Sequence, residues 1–157
     1  MENSLISERI KFGKGLDPVA DAFAGTVQSE AVNMGKYGRV GFLIYKGVGT
    51  TGTSTITVQA SSDASQTGAT AVAFKYRRIA SGDTGGDVIA ATSSGFATTA
   101  GSSEMYIVEV DASVCPAGLP WINLKAVEVV NDPVLGGIVV LLDDAKYHGS
   151  VLPTAIV

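Results

Sequence analysis

An all-β fold, an antiparallel sandwich of two sheets, is what this sequence predicts, and three observations predict it. Apolar residues alternate with period two in run after run from about Glu30 onward. Gly-, Ser- and Asp-rich turns separate the runs at short intervals. No helical pattern lies between the runs to supply the crossovers that a parallel sheet requires. With about seven or eight such runs, a jelly roll fits better than an immunoglobulin-like sandwich, whose Cys–Trp–Cys signature is absent.

The elements follow in order. Residues 1–29 read as an N-terminal arm, because Ile6, Ile10, Phe12 and Leu16 are apolar without strand alternation and Gly13 and Gly15 break any long helix. One short helix is predicted within the arm. Asp17 is a good N-cap, Pro18 suits the first helical position and Gly25 can close the end. Residues 30–157 read as the sandwich. Val40, Phe42 and Ile44 alternate with Gly41, Leu43 and Tyr45, so both faces of that strand are expected to be at least partly covered. After the turn Gly47–Gly52, Ile56, Val58 and Ala60 alternate with Thr55, Thr57 and Gln59, giving one apolar and one polar face. Val72–Ile79 is a strand, and Ser81–Asp87 a turn. Val88–Thr92 is a short strand. Glu104–Val110 alternates again, with Tyr106, Val108 and Val110 on one side. Trp121–Val130 is the longest strand, and Ile138–Leu142 is apolar on both sides. An apolar C-terminal tail, Val151–Val157, closes the chain.

Composition narrows the function classes. The 157 residues suit one domain, large enough to fold without a disulfide or a metal. The net charge of −4 argues against nucleic acid as a partner, since such binders carry a basic face. The densest basic group is Lys75, Arg77 and Arg78, which reads as solvated or salt-bridged strand residues. The first residues lack the basic and apolar regions of a secretory signal. The longest strongly apolar run, Gly136–Leu142, is far too short to span a bilayer, so no membrane role is expected. Only 17% of residues are charged, which suggests surface that partners cover.

Catalytic constellations fail at inventory. His148 is the single histidine and Cys115 the single cysteine, which leaves a zinc site or a cupin-like metal site without ligands. His148 reads as a surface residue in a terminal turn, and Cys115 as a small buried one. Asp83 and Asp87 bracket a glycine turn that is the best calcium candidate, but the regular acidic spacing of a calcium loop is missing. No phosphate loop, dinucleotide fingerprint or nucleophile elbow occurs. The expectation is a protein with no enzymatic activity, no cofactor and no metal.

Three stretches carry a resemblance: Thr51–Ser61, then Phe74–Asp83 running on to Gly95-Phe96, and Val127–Gly137. In phrase and texture they resemble small virion proteins of tailed bacteriophages, and through them head decoration or cement proteins. The resemblance covers most of the sandwich but not the arm, and it assigns no functional residue. It implies a virion structural protein on the exterior of a capsid assembled in the host cytoplasm. The implied partners are the major capsid protein and sister copies, with a homotrimer as the oligomer. From the residues themselves, the arm is expected to make the partner contacts through Ile6, Ile10, Phe12 and Leu16, with Lys11 and Lys14 pairing to acidic groups. The arm is expected to lie across a subunit boundary, and the tail also to bridge neighbours. The alternative is a ligand-binding sandwich for carbohydrate or a host receptor.

Overall fold

The structure is a computed structural model that describes residues 5–49, 51–101, 103–147 and 151–157. A short helix, α1 (Ile6–Arg9), leads into β1 (Lys11–Val19). Then come β2 (Thr26–Gln28), β3 (Val32–Asn33), β4 (Tyr37–Lys46), β5 (Thr53–Ser61), β6 (Thr70–Val72) and β7 (Phe74–Ser81). They are followed by β8 (Thr84–Gly85), β9 (Ile89–Ala91), β10 (Phe96–Ala97) and β11 (Glu104–Asp111). A 3-10 turn (Ala112–Val114) precedes β12 (Trp121–Val130) and β13 (Gly136–Ala145).

The strands form two sheets, and every strand pair is antiparallel. The larger, seven-stranded sheet runs β1-β13-β4-β11-β7, with β8 and β9 both on the far edge of β7. The smaller, six-stranded sheet is built on the pair β5–β12. Its β6 and β10 flank β5, and β2 and β3 flank β12. The antiparallel sandwich read from the sequence is therefore the observed fold. Its finer assignment to a jelly roll does not follow from sheets of seven and six strands, since a jelly roll has eight in all.

Alternation fixes which side chains meet between the sheets. Val40, Phe42 and Ile44 of β4 point inward with Ile138, Val140 and Leu142 of β13 and Tyr106, Val108 and Val110 of β11. They face Ile56, Val58 and Ala60 of β5 and Ile122, Leu124 and Ala126 of β12, all buried in one continuous core. Each large side chain so buried stabilises the fold by about 1.5–3 kcal/mol relative to an exposed one.

Three expectations need correction. Residues 1–29 are not an arm outside the sandwich. Lys11–Lys14 pairs antiparallel with Leu142–Val139 and Leu16 with Ile138, so β1 is an edge strand of the larger sheet. Unpaired, β13 would present a row of open backbone groups, and β1 satisfies them. The helix expected from Asp17 does not form. Asp17, Pro18 and Val19 end β1 and a turn follows, because strand pairing with β13 outweighs the local capping signal. The tail likewise folds back on its own body. Ala155 is buried, its carbonyl accepts from Asn33 N at 2.9 Å, and Tyr37 Oη donates to Pro153 O at 2.7 Å.

Candidate protein-docking face

The two outer faces of the sandwich differ in chemistry. On the smaller sheet, Thr55, Thr57 and Gln59 of β5 lie beside Val127, Lys125 and Asn123 of β12, with Thr26 and Gln28 of β2 beyond. Gln28 donates to Gln59 at 3.1 Å, so part of this face is a hydrogen-bonded polar lattice. On the larger sheet the register builds three rows of outward residues. One runs Ile79–Met105–Tyr45–Gly137, the next Arg77–Ile107–Leu43–Val139–Lys14, and the third Lys75–Glu109–Gly41–Leu141–Phe12. Beyond the third row lies a charged end with Asp111, Arg39 and Asp143.

The centre of this second face is apolar and open. Tyr45 is 56% exposed, Phe12 49% and Val139 42%, while Leu43, Ile107 and Leu141 are half-buried by one another. Gly41 has no side chain to stand between Leu141 and Glu109, and the surface dips there into a groove of about 680 Å³. Arg39, Lys75, Glu109, Asp111 and Asp143 rim the groove, and Ile10 and Val114 border it. An apolar centre inside a charged rim is the anatomy of a protein interface. Arg39 pairs with Asp111 at 4.0 Å. Lys75, Arg77 and Asp143 make no ion pair among the described residues.

The expected contact residues divide. Phe12 and Lys14 stand on the β1 edge of this face, Lys14 paired with Asp17 at 3.3 Å, and Ile10 borders the groove. Ile6 is exposed on α1. Lys11 and Leu16 turn the other way. Lys11 Nζ donates to Leu152 O at 3.4 Å, which pins the tail, and Leu16 packs on the core. Leu43, Tyr45, Ile107, Val139 and Leu141 were not among the expected contacts. For Leu43, Tyr45, Val139 and Leu141 the signal was present in the sequence, because β4 and β13 are apolar on both sides.

Between the sheets lies a second cluster, polar and buried. Lys46 is only 2% exposed, and its Nζ donates to Thr99 O at 2.7 Å. Glu104, its cross-strand neighbour, accepts from Arg78 Nη2 at 2.6 Å, from Tyr106 Oη at 3.0 Å and from Thr99 Oγ1. Burial pushes the Glu104 carboxyl up, but the hydrogen bonds from Thr99, Arg78 and Tyr106 outweigh it and hold the group below its ordinary range. Burial pushes the Lys46 ammonium down, with Glu104 opposing and Arg78 adding to the effect. The Tyr76 and Phe96 rings stack beside this cluster with centroids 3.8 Å apart. The arrangement is a buried ion network in which only Arg78 Nε lacks a hydrogen-bond partner among the described residues, and Arg78 is thereby a salt-bridged strand residue.

The remaining candidates are His148, Cys115, Asp83 and Asp87. His148 lies outside the described residues. The Cys115 thiol is half-buried and pushed up by that burial, away from nucleophilic use. Asp83 and Asp87 are exposed in the β7–β9 region, and among the described residues no group of three or more His, Cys, Asp or Glu stands ready to hold a metal. Among those residues no helix is long and apolar enough to cross a membrane. Compared with protein families, curated proteins and solved structures, the chain matches none.

Proposed function

We propose that this chain is a structural protein that decorates and cements a phage capsid and works by protein–protein contact, with the outer face of the larger sheet as one protein-docking surface. The observation that carries the contact reading is the asymmetry of the sandwich: one outer face has an apolar centre with a charged rim, the other is rich in Thr and Gln with exposed Val127 and Val130 at one end. Exposed apolar patches of several hundred Å² mark interaction sites on folded proteins. The capsid as the setting rests on the resemblance of Thr51–Ser61, Phe74–Asp83 and Val127–Gly137 to small virion proteins. The experiment mixes the purified chain with particles lacking it and measures co-sedimentation and particle resistance to heat. Binding with a raised disruption temperature is the expected result. Absence of binding at any ratio, with the chain folded, overturns the capsid reading.

The groove at Gly41 favours one other reading, a ligand-binding sandwich, because its volume is that of a small-molecule site. A glycan array scored against Gly41→Leu, which fills the groove, separates the two. Array binding abolished by that change supports the ligand reading.

A further inference from the structure

The apolar face needs an occupant, and its charges say which. The five long strands β1, β13, β4, β11 and β7 cross it side by side. At about 4.8 Å between strands and 3.4 Å per residue, five strands by seven residues span roughly 570 Å². Two such faces together bury about 1,100 Å², just above the ~1,000 Å² that a specific association needs.

Lys75 and Arg77 stand on the β7 edge, Lys14 on the β1 edge, and Asp111 and Asp143 at the Arg39 end. These positions discriminate between ways of packing the face on itself. With the strands of two copies aligned, the β7 edge of one lies over the β1 edge or the β7 edge of the other, and Lys75 and Arg77 meet Lys14 or their own counterparts. With the strands crossed at about 90°, the other known class of sheet packing, the β7 edge lies over the Arg39 end. Lys75 and Arg77 then meet Asp111 and Asp143, two carboxylates against the one guanidinium of Arg39 that stands between them and pairs with Asp111. The same crossing sets exposed Phe12 of one copy over exposed Tyr45 of the other. A two-fold axis along the diagonal makes both contacts twice, which closes the assembly at two.

We infer that this face is covered by a second copy of the chain, packed face to face with its strands crossed. This inference rests on the docking surface proposed above and names its partner. It gives a dimer, in place of the trimer that the resemblance implies, because a self-complementary face closes on a two-fold axis. The pair presents every other surface twice, an arrangement suited to bridging two neighbouring subunits of a shell.

Sedimentation equilibrium and light scattering of the full chain, up to about 100 μM, test it. The expected mass is twice 16.0 kDa. Leu43→Asp buries one carboxylate per copy at the centre, so it should raise the dissociation constant at least ~100-fold with the circular dichroism spectrum unchanged. Arg77→Glu and Asp143→Lys should each weaken the dimer roughly tenfold, and the double variant should recover most of that loss. A wild-type monomer throughout the range overturns the inference, as does a dimer insensitive to all of these changes. Should the wild type stay monomeric while Leu43→Asp abolishes particle binding, the face belongs to the shell: this inference fails and the proposed function stands. A dimer that binds no particle gives the converse.

Discussion

Glu104 shows how much one buried carboxylate organises. It holds Arg78, Tyr106 and Thr99 by hydrogen bonds and stands across the ladder from buried Lys46. Breaking a buried ion network by removing one member is costly, because the remaining charge loses its counterion. Glu104→Gln should therefore destabilise the fold by about 3 kcal/mol at pH 7, read as a lower urea midpoint at constant slope. The pH dependence carries a sign. The folded carboxyl titrates below the unfolded value of ~4.3, so its contribution is complete above that pH and disappears as pH falls through the folded pKa. Lys46 has the same sign with pH for the opposite reason, because burial disfavours its charged form. Its folded pKa is depressed, so the fold gains stability as pH rises from that value toward the unfolded ~10.4. Urea midpoints from pH 6 down to pH 2 should fall more steeply in the wild type than in Glu104→Gln. Parallel curves would mean that Glu104 is not held in its charged form. Of this network only Arg78, as a salt-bridged strand residue, was legible in the sequence; the burial of Lys46 follows from the sheet that covers it.

Among the elements, the long strands were the most legible, and the physical reason is their pattern. Strand β11 carries an unbroken two-residue alternation, β5 keeps it up to its last residue, and β12 shows it in Ile122, Leu124 and Ala126 before its register shifts between Glu128 and Val130. The turn between β7 and β9 was marked by its glycines and aspartates. Strand β1 was hidden because Gly13, Gly15 and Pro18 erase its alternation. Those residues suit an edge that is also irregular: the pairing with β13 shifts register twice, between Lys14 and Leu16 and between Leu16 and Val19. A side chain at Gly15 would press on Ile138, and one at Gly13 on Ile156 of the tail, so small residues there let the chain ends pack. The docking face was half legible. Its strands were recognised as apolar on both sides, but which residues share a row depends on pairings between strands far apart in sequence. Truncation tests the corrected role of β1. Removing residues 1–9 takes only α1 and the preceding residues, and the melting temperature should stay within a few degrees. Removing residues 1–19 takes β1, loses the packing of Leu16 and unseats the tail, so a loss of about 3 kcal/mol or more is expected. Thermal melts of the two truncations decide it: a stable 20–157 fragment would return β1 to the status of an arm.

At the scale of the whole molecule, the question is whether two sheets make one cooperative unit. The smaller sheet cannot stand by itself. Its inner residues Ile56, Val58, Ala60, Ile122 and Leu124 are fully buried, and all face the larger sheet. Separating the layers would expose both inner faces to water at about 25 cal/mol per Å², with little chain entropy recovered in return. Both chain ends reinforce the union. The segment after β1 leads into β2 and β3 on the smaller sheet, and the tail ties Asn33 of β3 to Tyr37 of β4 through Ala155 and Pro153. Unfolding should therefore be two-state. Trp121, the single tryptophan, sits at the start of β12 and reports on the smaller sheet, whereas far-UV circular dichroism reports on the strands of both. Urea curves followed by the two signals should coincide in midpoint and slope. If the tryptophan signal shifts at lower urea than the dichroism, the smaller sheet detaches first and the shared core is not the unit of stability. Dimerisation through the outer face adds one further signature. Because the folded dimer is favoured by mass action, the common midpoint should climb as protein concentration rises, and in Leu43→Asp it should not.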